Sequence, residues 1–219
     1  MKIKAVLFDM DGVLIDAKDW HYEALNRALN LFGYNIDRYE HLTSYDGLPT
    51  SVKLEKLSVL EGLPRSLHRF INEMKQKYTM TEIHNKCHPV FMHEYALSKL
   101  KSEGYKIAVC SNSIKKTIET MMDYAGLTEY IDGILSNEDV VRSKPDPEIY
   151  ITAMERLGVK PDECVICEDN ENGIKAAIAS GGNLLRIKTV DDVNYENIRN
   201  TIKSLEGFQN EASCPDGRS

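Results

Sequence analysis

Phe8-Asp9-Met10-Asp11-Gly12-Val13 follows directly on the run Ile3 to Leu7, and how it is read decides the fold. Ile3 to Phe8 is short, apolar and rich in Val, Ile and Leu, the composition of a central strand covered on both faces of an α/β sheet. Open α/β sheets place their sites at the carboxyl ends of such strands, where Asp9 and Asp11 stand. Packing gives no reason for two acids there. The residues that end the later strands supply one.

From about residue 90 the chain alternates strand and helix patterns. Helix 92–103 leads to strand 105–110, then a helix opened by Ser113 and ended by Gly126, then strand 132–136. Asp146-Pro147 opens another helix, followed by strand 163–167, helix 171–180 and strand 183–188. This predicts parallel βαβ units with right-handed crossovers, a doubly wound, Rossmann-like α/β sheet. The text between the first strand and this series is helical. Trp20, Ala24, Leu25, Ala28, Leu29 and Phe32 recur at helical spacing, with Asp16 as cap and Gly33 as stop. Val52, Leu57 and Leu60 mark a second helix closed by Gly62 and Pro64, and Phe70, Met74 and Tyr78 mark one face of a third. The expected organisation is an α/β core of residues 1–15 and 88–207, a helical cap domain inserted as 16–87, and a polar C-terminal tail, 208–219.

The composition narrows the partners. Lys and Arg number 27 against 34 Asp and Glu, a net charge of −7, which argues against nucleic acid because phosphate backbones need a basic face. No apolar run approaches the ~20 residues of a membrane span, and the N-terminus enters a strand without a signal-peptide region. The expectation is a cytoplasmic protein, a monomer or weak homodimer. Its five cysteines are an odd, scattered set and suggest no disulfide framework. Cys164-Val-Ile-Cys167 has the spacing of a redox or zinc pair, but within a strand residues three apart point to opposite faces. His84, Cys87, His88 and His93 could group around zinc only if a helix ran through them, and Pro89 interrupts it. They read as a structural linker.

Each strand of the α/β part ends in polar residues. Asp9 and Asp11 end the first, Ser111-Asn112 the second, Ser143-Lys144-Pro145-Asp146-Pro147 follows the third, and Glu168-Asp169-Asn170 ends the fourth. In a parallel sheet these ends share one edge. Carboxylates, a hydroxyl and an ammonium gathered there suit phosphoryl transfer through an enzyme carboxylate. Asp9 attacks in line, and Asp11 protonates the leaving oxygen and then deprotonates water. Lys144 and Ser111 hold phosphoryl oxygens, helped by backbone N–H groups at the Asn112 turn. Oxygen ligands from Asp9 and Asp169 suit Mg²⁺.

With these motifs, FDMDGV (8–13), CSN (110–112), SKPDPEIY (143–150) and CEDNENGI (167–174), the chain resembles the haloacid dehalogenase-like hydrolases over residues 3–188. The helical insertion resembles the cap of the phosphoglycolate phosphatase and β-phosphoglucomutase subgroup. The resemblance implies Asp9 as nucleophile, Asp11 as acid/base, and Ser111, Asn112 and Lys144 at the phosphate. It also implies Mg²⁺ on the Asp9 carboxylate, the Asp11 backbone carbonyl and Asp169, with Glu168 direct or through water. Asp11 itself separates this chain from dehalogenases and phosphonatases, which lack an aspartate at that position. In the phosphoglycolate phosphatase and β-phosphoglucomutase subgroup a phosphomutase has a cap arginine soon after the turn glycine, and here Gly47-Leu48-Pro49 is followed by Thr50, with Lys53, Lys75 and Lys77 as the cations that could replace it. A simple phosphatase of a small sugar, polyol or hydroxy-acid phosphate is therefore expected, with the mutase as the alternative and a non-catalytic phosphoryl-binding protein as a remote one. Asp16, His21, Tyr45, Gly47 and Lys77 are the candidate substrate contacts. His41 and His68 are expected on the cap surface.

Overall fold

Every residue of β1 (Ala5–Phe8) is fully buried, as a strand covered on both faces requires. The structure is a computed structural model and describes residues 2–212. β1 pairs in parallel with β2 (Lys106–Cys110) on one side and β4 (Cys164–Glu168) on the other. β3 (Gly133–Leu135) and β5 (Asn183–Arg186) complete a parallel sheet ordered β3-β2-β1-β4-β5. The strand order reverses between β1 and β4, so the crevice beyond their carboxyl ends is where such a sheet binds ligands.

The alternation of side chains along β1 divides the core. Val6 and Phe8 join one cluster with residues of α5 (Phe91–Ser102), α6 (Lys115–Tyr124) and α9 (Tyr195–Ala212). Ala5 and Leu7 join another with α7 (Glu148–Leu157) and α8 (Glu171–Ala179). Cys164 lies in the second cluster and Cys167 in the first, so the two sulfurs face opposite sides of the sheet.

The helical insertion comprises α1 (Lys18–Asn30), the single turn α2 (Arg38–Glu40), a π-helical turn His41–Tyr45, α3 (Thr50–Glu61) and α4 (His68–Lys86). It has its own apolar cluster, built on Leu25, Leu29, Tyr45, Leu54, Leu57 and Ile71. Its inward faces differ from those the apolar residues suggest. On α4 the buried stripe is Ile71, Lys75, Thr79 and Ile83, one residue on from the expected Phe70, Met74 and Tyr78, and Phe70 is 46% exposed. On α3 the buried residues are Lys53, Leu54 and Leu57, while Val52 and Leu60 are exposed. Asp16 does not cap α1, whose N-cap position is Ala17 with no side-chain hydrogen bond.

α9 is an element the sequence reading leaves unassigned, although Ile198, Ile202 and Leu205 recur at helical spacing and pack on the first cluster. Its bounds run past residue 208 into the expected tail, and residues 213–219 lie outside the described residues. Among the described residues no helix is long and apolar enough to cross a membrane.

Candidate active site

Asp9 follows β1, and its carboxylate points across the switch point toward β4. Lys144, from the loop before α7, reaches into the same space and is almost wholly buried. Its Nζ donates to Asp9 Oδ1 at 2.7 Å, to Glu168 Oε1 at 2.6 Å and to the Cys110 carbonyl at 2.8 Å. A buried ammonium is stable only when its donors are matched, and here all three are. Asp9 and Glu168 outweigh the cost of burial and hold Lys144 protonated far above the ordinary lysine range. The Tyr150 hydroxyl donates to the same Glu168 oxygen. Gly173, at the start of α8, makes this packing possible, since a Cβ there would lie 1.9 Å from Glu168 Oε1.

Asp9, Glu168 and Asp169 converge, each offering an oxygen within 4.8 Å of the others, and they are the one such group among the described residues. Burial, then repulsion from Glu168, pushes the Asp9 carboxyl well above the usual range despite Lys144. Burial likewise raises Asp169, against the pull of Lys18. Asp169 Oδ2 is paired with Lys18 Nζ, but its Oδ1 is buried without a hydrogen-bond partner. Three hard oxygen donors that repel one another, one of them orphaned, fit a divalent cation such as Mg²⁺. Asp11 contributes no carboxylate oxygen to this group.

The Asp11 side chain serves a different set of partners. His21 Nε2 lies 2.9 Å from Asp11 Oδ1, and the Ser113 hydroxyl donates to Oδ2 at 3.3 Å. Lys75 Nζ lies 3.2 Å from His21 Nδ1. Since an ammonium can only donate, Nδ1 accepts and the proton of His21 sits on Nε2, toward Asp11. Burial lowers His21, and Lys75 adds to that, so the ring is neutral at rest. Burial acts to raise Asp11 but is outweighed by His21, Lys75 and Ser113, and the carboxyl is held below its usual value.

Ser111 Oγ accepts from the Ser113 N–H at 3.1 Å and lines the cavity beside Asp9. Asn112 ties three segments together. Its Oδ1 accepts from the Lys144 N–H at 3.1 Å, and its Nδ2 donates to the Gly47 carbonyl at 3.0 Å and to the Lys144 carbonyl at 3.3 Å. The insertion and the sheet edge meet again where Asn170 Nδ2 donates to Asp46 Oδ2 at 2.7 Å. A cavity of about 180 Å³ lies between them, walled by the sheet-edge residues and by His21, Lys53 and Lys75.

Of the candidate substrate contacts, His21 and Gly47 line this cavity, and Asp16, Tyr45 and Lys77 do not. Asp16 is exposed at the foot of α1, and Tyr45 is buried in the apolar cluster of the insertion. Lys77 is exposed because two helical residues beyond Lys75 means about 200° of rotation, from the inner face to the outer. His41 is buried against the cavity rather than on the surface, its ring 4.7 Å from Tyr22. Lys18, paired with Asp169, and Tyr150, bonded to Glu168, are site residues that no motif in the sequence marks. Lys53 and Lys75, which the sequence offers only as replacements for the cap arginine, both line the cavity. The signal was a lysine on the i, i+4 stripe Ile71-Lys75-Thr79-Ile83, where only a buried role suits the spacing. The four His/Cys residues near the linker do not converge. His84 bonds Tyr124, Cys87 packs on the Met121 carbonyl, His93 bonds the Val190 carbonyl and His88 is exposed.

The model of the family described as haloacid dehalogenase-like hydrolase matches residues 6–187. A phosphorylated carbohydrates phosphatase of Thermotoga maritima is 30% identical over 184 residues, 82% of this chain and 82% of that protein. A phosphoglycolate phosphatase of Aquifex aeolicus is 29% identical over 180 residues, again 82% of each. The fold is similar to that of a β-phosphoglucomutase from Clostridium difficile, with a TM-score of 0.80 at 23% identity over 94% of this chain and 99% of that one.

Proposed function

This chain belongs to the haloacid dehalogenase-like hydrolase family, and from that premise we propose that it hydrolyses a small phosphomonoester through an aspartyl-phosphate on Asp9. The observation that supports this most is the buried Lys144 bridge. It holds Asp9 at the mouth of β1 beside Glu168 and Asp169, with one Asp169 oxygen unpartnered. Asp9, Glu168 and Asp169 would hold Mg²⁺, which when bound supplies divalent charge against the phosphoryl oxygens.

In the first step an Asp9 oxygen bonds to phosphorus, the ester P–O bond breaks and the leaving alkoxide takes a proton from Asp11. In the second, a water oxygen bonds to phosphorus, the bond to Asp9 breaks and Asp11 takes the water proton, releasing inorganic phosphate. At rest Asp11 is ionised, ready for the second step. The dianion arriving beside it raises its affinity for the proton the first step needs. The Ser111 hydroxyl faces the phosphoryl oxygens, Lys144 sets its positive charge beside them, and the insertion seated over the sheet edge limits the access of bulk water to the intermediate.

The test is phosphate release across sugar, polyol and hydroxy-acid monophosphates with Mg²⁺, before and after chelation. The expected result is release from one compact class, falling about a thousandfold or more once the metal is removed. Undiminished turnover after chelation contradicts the metal assignment. Isomerisation that needs a bisphosphate, with little free phosphate, contradicts hydrolysis and favours the mutase.

Closure of the insertion on the sheet edge should matter for turnover. Gly47 has φ +70°, and a Cβ there would lie 2.5 Å from Asn170 Oδ1. Gly47→Ala should therefore lower kcat/KM about tenfold by opening this contact, at a stability cost of about 1 kcal/mol for the left-handed backbone. Steady-state kinetics alongside a denaturation curve separate the two effects.

A further inference from the structure

Among the described residues two lysines are paired with the acidic cluster. Lys144 bridges Asp9 and Glu168, and its role follows from that bridge. The other is Lys18, whose Nζ is paired with Asp169 Oδ2. Nothing in α1 calls for a lysine there. Lys18 is the first residue of the helix, where unpaired N–H groups favour an acid and oppose a cation. Its stem reaches the carboxylate past Gly12, at φ +89°, where any Cβ would collide with both the Lys18 side chain and the Asp169 carboxylate. Burial acts to lower the ammonium, but Asp169 outweighs it, with Asp46 and Asp9 adding to the pull, and Lys18 is held above the usual lysine value.

The two lysines are held differently. Lys144 is buried with all its donors matched. The Lys18 side chain is 36% exposed, while the carboxylate it covers is 3% exposed. An ion pair open to water at its cationic end is weak and exchanges readily. Asp169 therefore has one oxygen without a partner, Oδ1, and the other covered by a movable charge. A neutral donor on Oδ2 would only orient the carboxylate and so strengthen its hold on an ion. An ammonium orients it too, but it also repels a doubly charged ion across a single carboxylate, and at that range the repulsion is the larger effect.

We propose that Lys18 is a resident counter-ion of the metal centre, which competes with the divalent ion for Asp169 and keeps that ion weakly held and exchangeable. This rests on the reading of Asp9, Glu168 and Asp169 as the ligands of a divalent cation.

Mg²⁺ binding is measured by calorimetry on chelator-stripped protein, with no ester present, for the wild-type chain, Lys18→Met, Lys18→Arg and Asp169→Asn. Lys18→Met should bind Mg²⁺ about tenfold more tightly, because the pair to be broken and the repulsion are both gone. Lys18→Arg keeps the charge and should stay within about threefold of wild type. Asp169→Asn should lose most of the binding. Thermal melts show that each variant is folded, and saturating Mg²⁺ should raise the melting temperature of Lys18→Met more than that of wild type. Binding by Lys18→Met that equals or falls below wild type, while Asp169→Asn loses it, overturns the competition and leaves the metal centre standing. Binding undiminished in Asp169→Asn, or absent from wild type and Lys18→Met alike, contradicts the metal reading and overturns the inference with it.

Discussion

Asp9→Asn should release phosphate at least about 10⁴-fold more slowly than the wild-type chain on its best ester, because an amide oxygen cannot act as the nucleophile. The fold should survive. Asp9 is one of three crowded acids, and burial disfavours its charge. An amide in its place removes repulsion and still accepts from Lys144, which keeps Glu168 as its counter-ion. Folding free energy should therefore stay within about 1 kcal/mol of wild type. Denaturant melts and phosphate release on the same preparation test both halves. Unimpaired turnover would show that phosphorus is attacked by something other than Asp9.

Lys144→Met should have the largest effect on stability. The ammonium is bonded to Asp9 Oδ1 at 2.7 Å and to Glu168 Oε1 at 2.6 Å, both out of solvent. Removing it leaves two facing carboxylates unpaired, a change that costs about 3–5 kcal/mol, and turnover should vanish with it. Glu168→Gln added to Lys144→Met should return part of the stability but none of the activity, because one of the two stranded charges is gone.

The pH dependence has a definite sign. Asp9 is held above its unfolded value, so the folded chain keeps its proton to higher pH than the unfolded chain. What that contributes to stability is present at low pH and lost as the pH rises. Lys144 opposes this shift, and without it the window widens. The deficit of Lys144→Met should thus be smaller near about pH 5 than near about pH 8. Urea melts at the two values would show it, and an equal deficit at both would mean the carboxylates are not the source of the loss.

The sheet was legible because β1 and β4 are buried on both faces, and their sequences AVLF and CVICE need no partner pattern to be read as central strands. The gathering of Asp9, Ser111, Lys144 and Glu168 followed from topology alone, since parallel strands deliver their carboxyl ends to one edge. The helical insertion was harder to read. Apolar periodicity finds the inner face of a helix only when that face is apolar, and α3 and α4 turn lysines inward toward a polar cavity. Phe70 and Leu60 meanwhile lie outside, which is why the expected stripe was displaced by one residue on α4. Tyr45 and Lys77 failed as cavity residues for the same reason. Which side of a short helix faces a cavity depends on how the insertion is seated, and the bonds that seat it join residues far apart in the chain, such as Asp46 to Asn170 and Gly47 to Asn112.

The covalent intermediate on Asp9 is tested most directly by trapping it. Enzyme mixed with Mg²⁺ and its best ester is quenched in acid during turnover and reduced with borohydride, which converts an acyl phosphate to an alcohol and leaves a free carboxylate untouched. Peptide mapping by mass spectrometry should find Asp9, and no other acid, reduced to homoserine, only when substrate is present and not in the Asp9→Asn protein. Reduction at a different residue, or at none while phosphate is being released, would contradict the account.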